Sequence, residues 1–159
     1  MAFAAEMQTD DRDTHMQMRL IDAMYIEAML LADEARAYFD DVGRVDREAL
    51  DPAVRVGFSC ESLKVTTRLM HVIAWFLTQR AIQAGELRAG DALDPNRRLG
   101  DAPSTGRPLL DLLPVRARRL IEASIDLHRR VSHMDRAQDL PVVAASPALI
   151  MQKRLATAL

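Results

Sequence analysis

The apolar positions of this chain recur with a helical period wherever the pattern is strong. Ile21, Met24, Ala28, Leu31, Ala35 and Tyr38 alternate spacings of three and four, which predicts a first helix from about Asp13 to Asp40. Asp13 or Thr14 suits its N-cap, and Gly43 a stop just past its end. Asp51-Pro52 opens a second helix, because proline at the first helical position gives up an N–H that has no partner there anyway. Nothing breaks this second pattern before Gly85, so the helix reaches about 33 residues and about 50 Å. Val54, Phe58, Val65, Leu69, Ile73, Phe76 and Leu77 cover roughly half of its circumference. A stripe that wide needs more than one neighbour, and this is the central helix.

Residues 86–108 read differently. Glycine, proline, aspartate and asparagine fill them without a sustained apolar period, which predicts a long surface connection with one short helical turn near Leu93. Its length implies partial disorder or a role of its own. A third helix starts at Leu109 or Pro114 and runs to about Asp135. Its seam is Leu113, Ala117, Leu120, Ser124, Leu127, Val131 and Met134. Ser146-Pro147 suits the cap of a short fourth helix over 148–158, too short to be stable alone. Long helices and no strand-like runs predict an all-α antiparallel three-helix bundle. The expected organisation is a flexible N-terminus over 1–12, the bundle over 13–136, and a loose tail over 137–159.

Composition narrows the classes. Of 159 residues, 49% are apolar and 28% charged, enough for one core and too apolar for a disordered chain. The net charge of −2 argues against polyanion binding by the whole chain. Charge is unevenly shared, however. Residues 1–51 hold 5 basic and 13 acidic residues, a net of −8, while 52–159 hold 16 and 10, a net of +6. An acidic first helix packed beside basic partners explains this within one bundle; a bipolar surface docking head to tail is the alternative. No signal peptide and no membrane-length apolar run is visible, which predicts a cytoplasmic protein.

Candidate chemistry is sparse. None of the four histidines follows a glutamate at the spacing of di-iron bundles, and no phosphate loop is present, so no metal or cofactor is expected. Cys60, the single cysteine, borders the apolar stripe and reads as a buried, inert thiol. Nothing pairs a nucleophile with a base, and an enzyme is not expected. Arg116, Arg118, Arg119, Arg129 and Arg130 suggest a nucleic-acid-associated regulator as the alternative class. Glu122 and Asp126 lie among them at ion-pair spacing, which favours a solvated face and makes nucleic acid an unlikely partner.

One site stands out. Arg68, His71, Trp75 and Gln79 follow one another on the polar side of the second helix. An indole among polar residues is a candidate anchor for a protein partner, with Arg68 as a carboxylate-binding fork. The competing reading is that the long connection or the tail folds over Trp75 and buries it. The width of the apolar stripe adds a second expectation, that a homodimer covers what the other helices do not.

Glu34–Phe39 and the run Glu61-Ser62-Leu63-Lys64-Val65-Thr66-Thr67-Arg68-Leu69-Met70, with Ala74-Trp75, Gln79-Arg80-Ala81 and Gly85-Glu86, resemble the family of RcdA, the regulator of CtrA degradation. Leu113-Pro114 and the pattern of Arg118–Arg129 continue the likeness, which covers about 14–135. The resemblance implies a dimeric, cytoplasmic three-helix protein without enzymatic activity that serves as an adaptor for the ClpXP protease. Its implied partners are a ClpX-type unfoldase primed by a CpdR-like response regulator, transcription-factor cargo from the cell cycle, and a PopA-like second adaptor. The 86–108 connection and the tail carry no usable likeness, so cargo choice does not follow from it.

Overall fold

The structure, a computed structural model, describes residues 2–139, with side chains from Arg12 onward. The expected fourth helix and most of the expected tail lie outside these residues. Helix α1 spans Ala2–Ala37, a π-helical turn spans Tyr38–Val42, and α2 spans Gly43–Glu48. Helix α3 spans Pro52–Gln83, α4 spans Arg107–Leu112 and α5 spans Val115–Ala137, with 3-10 turns at Ala89–Leu93 and Pro95–Arg97. Every regular element among the described residues is helical, and the all-α fold expected from the sequence is the fold observed.

Helix α1 begins at Ala2, inside the segment expected to be a flexible N-terminus, and no glycine or proline interrupts it. Gly43 was expected to stop it and does not. The chain stays helical there, at φ −71°. A Cβ on Gly43 would lie 2.7 Å from the Tyr38 carbonyl oxygen and 3.1 Å from its ring. The π-turn folds Tyr38 against this point, so glycine is selected for space, not for termination. The Tyr38 hydroxyl donates to Asp46 at 2.7 Å and the Arg116 guanidinium sits over its ring at 5.2 Å. Burial, then the Asp46 carboxylate, holds the phenol well above its usual pKa.

The ends of α3 match expectation. Proline follows Asp51 at its start, and Gly85 closes it at φ +76°, the left-handed conformation that glycine adopts without a Cβ penalty. The Glu86 N–H returns to the Ala81 carbonyl at 2.9 Å. Around this helix the core gathers Ile21, Met24 and Ala28 from α1, Tyr38 from the π-turn, and Leu120, Leu127 and Val131 from α5. Phe39 meets Phe58 edge to face at 5.3 Å, and Tyr25 meets Phe76 at 6.5 Å. The third-helix seam is buried as expected from Leu113 to Val131, with Met134 packed against its end.

One directional expectation is corrected. Helix α1 is antiparallel to both others: Asp22 pairs with Arg80 on α3, and Glu27 with Arg130 on α5, while Tyr38 meets Arg116 near the other end. Helices α3 and α5 run parallel, since Arg68 meets Ser124 and Trp75 meets Asp135. The connection causes this. It returns along the whole length of α3, so that Leu109 lies against Gly57 before α5 begins. The acidic first helix does pack beside basic partners, at the two ion pairs just named.

Candidate interaction site

Residues 98–106 form a strap laid along the seam between α3 and α5. Arg98 fastens its first end. Its Nε donates to the Asp135 carboxylate at 3.1 Å, and its Nη2 to the Asp135 carbonyl and the Asp139 carboxylate, both at 2.9 Å. This guanidinium holds the Asp139 carboxyl below its usual range, and Asp139, ahead of Asp135, pushes the Arg98 pKa further up. The other oxygen of Asp135 accepts from the Trp75 indole N–H at 2.8 Å.

The middle of the strap is a close approach. A Cβ on Gly100 would lie 2.7 Å from the His71 ring, and the Gly100 carbonyl is 2.8 Å from His128 Nε2. Arg68 holds the far end. Its Nη2 donates to the Pro103 carbonyl at 2.7 Å and to the Thr105 hydroxyl at 2.8 Å, and its Nη1 to Ser124 at 3.3 Å. Thr105 in turn donates to Glu61 at 2.6 Å. Lys64 donates both to Glu61 and to the Ser104 carbonyl, each at 2.7 Å.

Arg68 is 1% exposed and Glu61 fully buried, so this is a buried ionic network with its hydrogen bonds made inside the protein. Burial, only partly offset by Glu61, depresses the Arg68 pKa. An extended segment against two helices finds no free backbone groups to pair with. Side chains of α3 and α5 therefore supply the donors that its carbonyls require.

The expected contact stripe is thus not an open surface. Trp75 is 3% exposed, and Arg68 and Gln79 are also buried, while His71 lies partly buried under the strap. The covering reading is the one observed, and the long connection does the covering. Two further expectations are corrected. Leu77 is half exposed, its place inside taken by Val72 and Trp75, because the strap and α5 turn the buried stripe toward the polar side. Cys60 is exposed, since its arc of α3 faces away from α1, α5 and the strap.

Sequence reasoning missed Glu61, Arg98, Thr105, Ser124 as a polar partner, and Asp135. A signal existed for the helical ones. Glu61 follows Phe58 by three and precedes Val65 by four, and Asp135 follows Val131 by four, so both occupy core phase. A charge at an apolar phase points to a buried partner. The strap residues carry no period, and their roles are set by tertiary contact.

The outer arc of α3 is the reverse. Leu63 and Met70 are 68% and 64% exposed. Between this arc and α1 runs a groove of about 430 Å³, lined by Ala32, Ala35, Phe39, Leu63, Met70 and Ile73 among others. On α5, Arg129 pairs with Asp126, and Arg130 with Asp126 and Glu27, so these arginines are already engaged. Among the described residues, no helix is long and apolar enough to cross a membrane, and no cluster of His, Cys, Asp or Glu is placed to hold a metal ion.

Residues 12–159 match the model of a family described as a protein of unknown function, DUF1465. Among solved structures, the crystal structure of RcdA from Caulobacter crescentus CB15 matches with 34% sequence identity and a TM-score of 0.62, covering 75% of this chain and 90% of that one. No curated protein sequence matches the chain at a significant level.

Proposed function

The chain belongs to the family of that model, the RcdA family, and on this premise we propose that it is a non-enzymatic adaptor that tethers protein substrates to a primed ClpXP protease. It works in the cytoplasm as a homodimer. It meets a ClpX-type unfoldase through a CpdR-like primer and carries cell-cycle transcription factors as cargo, with a PopA-like protein as second adaptor. The observation that carries the reading is the 34% identity to RcdA over a match that takes in 90% of that chain. The helix run that bears the resemblance, 61–70, is also the run that seats the strap.

This changes the part assigned to Arg68, His71, Trp75 and Gln79. In the adaptor Arg68, His71 and Trp75 are positioning residues: they set the strap, directly or through Asp135, and the strap's exposed edge at Asp101, Ala102 and Ser104 is what a partner meets, while Gln79 is buried beside them. A reconstituted assay tests the reading. Purified ClpXP, its primer and a labelled transcription-factor cargo are mixed with and without this protein. The expected result is faster cargo loss that requires both the primer and this chain. Equal rates with and without it, under conditions where a Caulobacter RcdA control accelerates degradation, overturn the reading.

A further inference from the structure

A groove runs between α1 and α5, and no residue of the strap lines it. It consists of two hollows of about 400 and 440 Å³ that share Leu31, Glu34 and Ala123 and so lie end to end. Its wall is apolar and open: Ile26 is 57% exposed, Leu30 65% and Val115 64%. Ala23 on α1 and Ala123 on α5 leave room across it, since neither side chain extends beyond Cβ.

One end of the groove is basic. Arg116 and Arg119 line it, both are exposed, and no ion pair among the described residues includes either. Farther along the same helix the arginines are matched, Arg129 to Asp126 and Arg130 to Asp126 and Glu27. Arg116 lies over the Tyr38 ring, which leaves its N–H fork without a carboxylate. The first turn of α5 also holds no acidic residue, although the helix dipole favours carboxylates there and opposes cations. Unmatched guanidinium groups beside an open apolar wall lack an anion that also has apolar surface to bury.

We propose that this groove takes an acidic amphipathic helix of a protein partner, its apolar stripe on Ile26, Leu30 and Val115 and its carboxylates on Arg116 and Arg119. This rests on the adaptor reading and assigns it one docking face. The wall from Ala23 to Glu34 is about 16 Å long at the helical rise, room for about three turns of a partner. A helix seated this way presents side chains at i, i+3, i+4 and i+7 to the wall, and its carboxylates meet the arginine forks at the rim. Residues 140–159 do not supply this occupant, because their charged side chains are Lys153 and Arg154 alone. A nucleic acid gains nothing from Ile26 and Leu30, and Glu34 repels its phosphates from within the groove.

Fluorescence anisotropy on the full chain tests the groove. The probe is a labelled synthetic peptide of about three heptads, with leucine and alanine on one face and glutamate on the other. A second peptide carries lysine for every glutamate, and a third has the first one's composition in an order that breaks the heptad. The wild type is expected to bind the acidic peptide about tenfold or more tightly than either control. Leu30→Asp and Arg119→Glu are each expected to weaken that binding about tenfold with helix content unchanged, and Arg119→Glu to gain affinity for the lysine peptide. Arg129→Glu, outside the groove, is expected to bind as the wild type does.

No binding by the wild type, or binding that both groove variants retain, overturns the proposal. Tighter binding of a DNA duplex of about 20 base pairs overturns it in favour of a nucleic-acid face. A halved mass of Arg119→Glu in light scattering overturns it by placing a second copy in the groove. Peptide binding without acceleration in the ClpXP assay overturns the adaptor reading and leaves the groove as a binding site. Acceleration without peptide binding overturns the groove alone.

Discussion

The two sides of α3 invert the usual arrangement of a helix. Its inner side carries Glu61 and Arg68, both buried, while its outer side presents Leu63 and Met70 to the surroundings. What decides the inside is not hydropathy but whether a polar group finds fixed partners there. The strap brings the carbonyls of Gly100, Pro103 and Ser104 against the bundle, and His128, Arg68 and Lys64 meet them. Burying a charge is costly, and so is burying three carbonyls without donors; the network settles both at once. The outer side has no such demand, and it presents Val56, Leu63, Met70 and Leu77 one heptad apart.

The comparison breaks most sharply at Arg68. Arg68→Ala removes a buried cation whose charge acts on Glu61 and leaves two strap acceptors without donors. About 3–5 kcal/mol of stability is expected to go, read from urea unfolding. Gly100→Ala tests the close approach from the strap side. Its new Cβ meets the His71 ring, and about 1–3 kcal/mol of overpacking is expected, with the strap amides exchanging faster in deuterium oxide. Trp75→Phe keeps most of the ring and removes only the indole donor to Asp135, for about 1–2 kcal/mol in the same urea measurement.

Acid sharpens the comparison further. The Asp139 carboxyl is depressed by Arg98, so its contribution is full above the ordinary carboxylate range and lost as pH falls through its lowered value. Fluorescence of Trp75, the single tryptophan, is expected to report that release below the usual carboxylate range. In Arg98→Ala the link to Asp139 is absent at every pH, and this change is expected to disappear. The smallest effect belongs to the outer side. The Thr66 hydroxyl bonds only its own helix, at the Ser62 carbonyl, and Thr66→Ala is expected to shift unfolding by less than about 0.5 kcal/mol.

Much of the fold was legible because it is written in local periods. The start and stop of α3, the α5 seam and the all-α class rest on spacing, proline and one glycine. The direction of α5 was not legible, because a helix has the same period whichever way it runs. Gly43 misled because a glycine selected for room beside Tyr38 has the same letter as one that ends a helix. At the candidate site, the stripe of Arg68, His71, Trp75 and Gln79 was found as a neighbourhood but assigned to the wrong side of the surface. What covers it, 98–106, is aperiodic, and its partners on α3 and α5 are fixed only when the chain returns. Glu61 and Asp135 were readable by phase, and the rule they teach is to ask what a charge in core register is waiting for.

The return of the connection also sets an order of assembly. Helices α1 and α3 are joined by a short corner and meet antiparallel, so their ends find each other with little loop to close. Helix α5 reaches α3 through partners 56 and 60 residues away, and only after the strap has run back down the bundle. Contacts that distant form late. The hairpin of α1 and α3 is therefore the early body, α5 docks onto it, and Arg68 and Asp135 act as the register marks that tell the arriving helix where along α3 to halt.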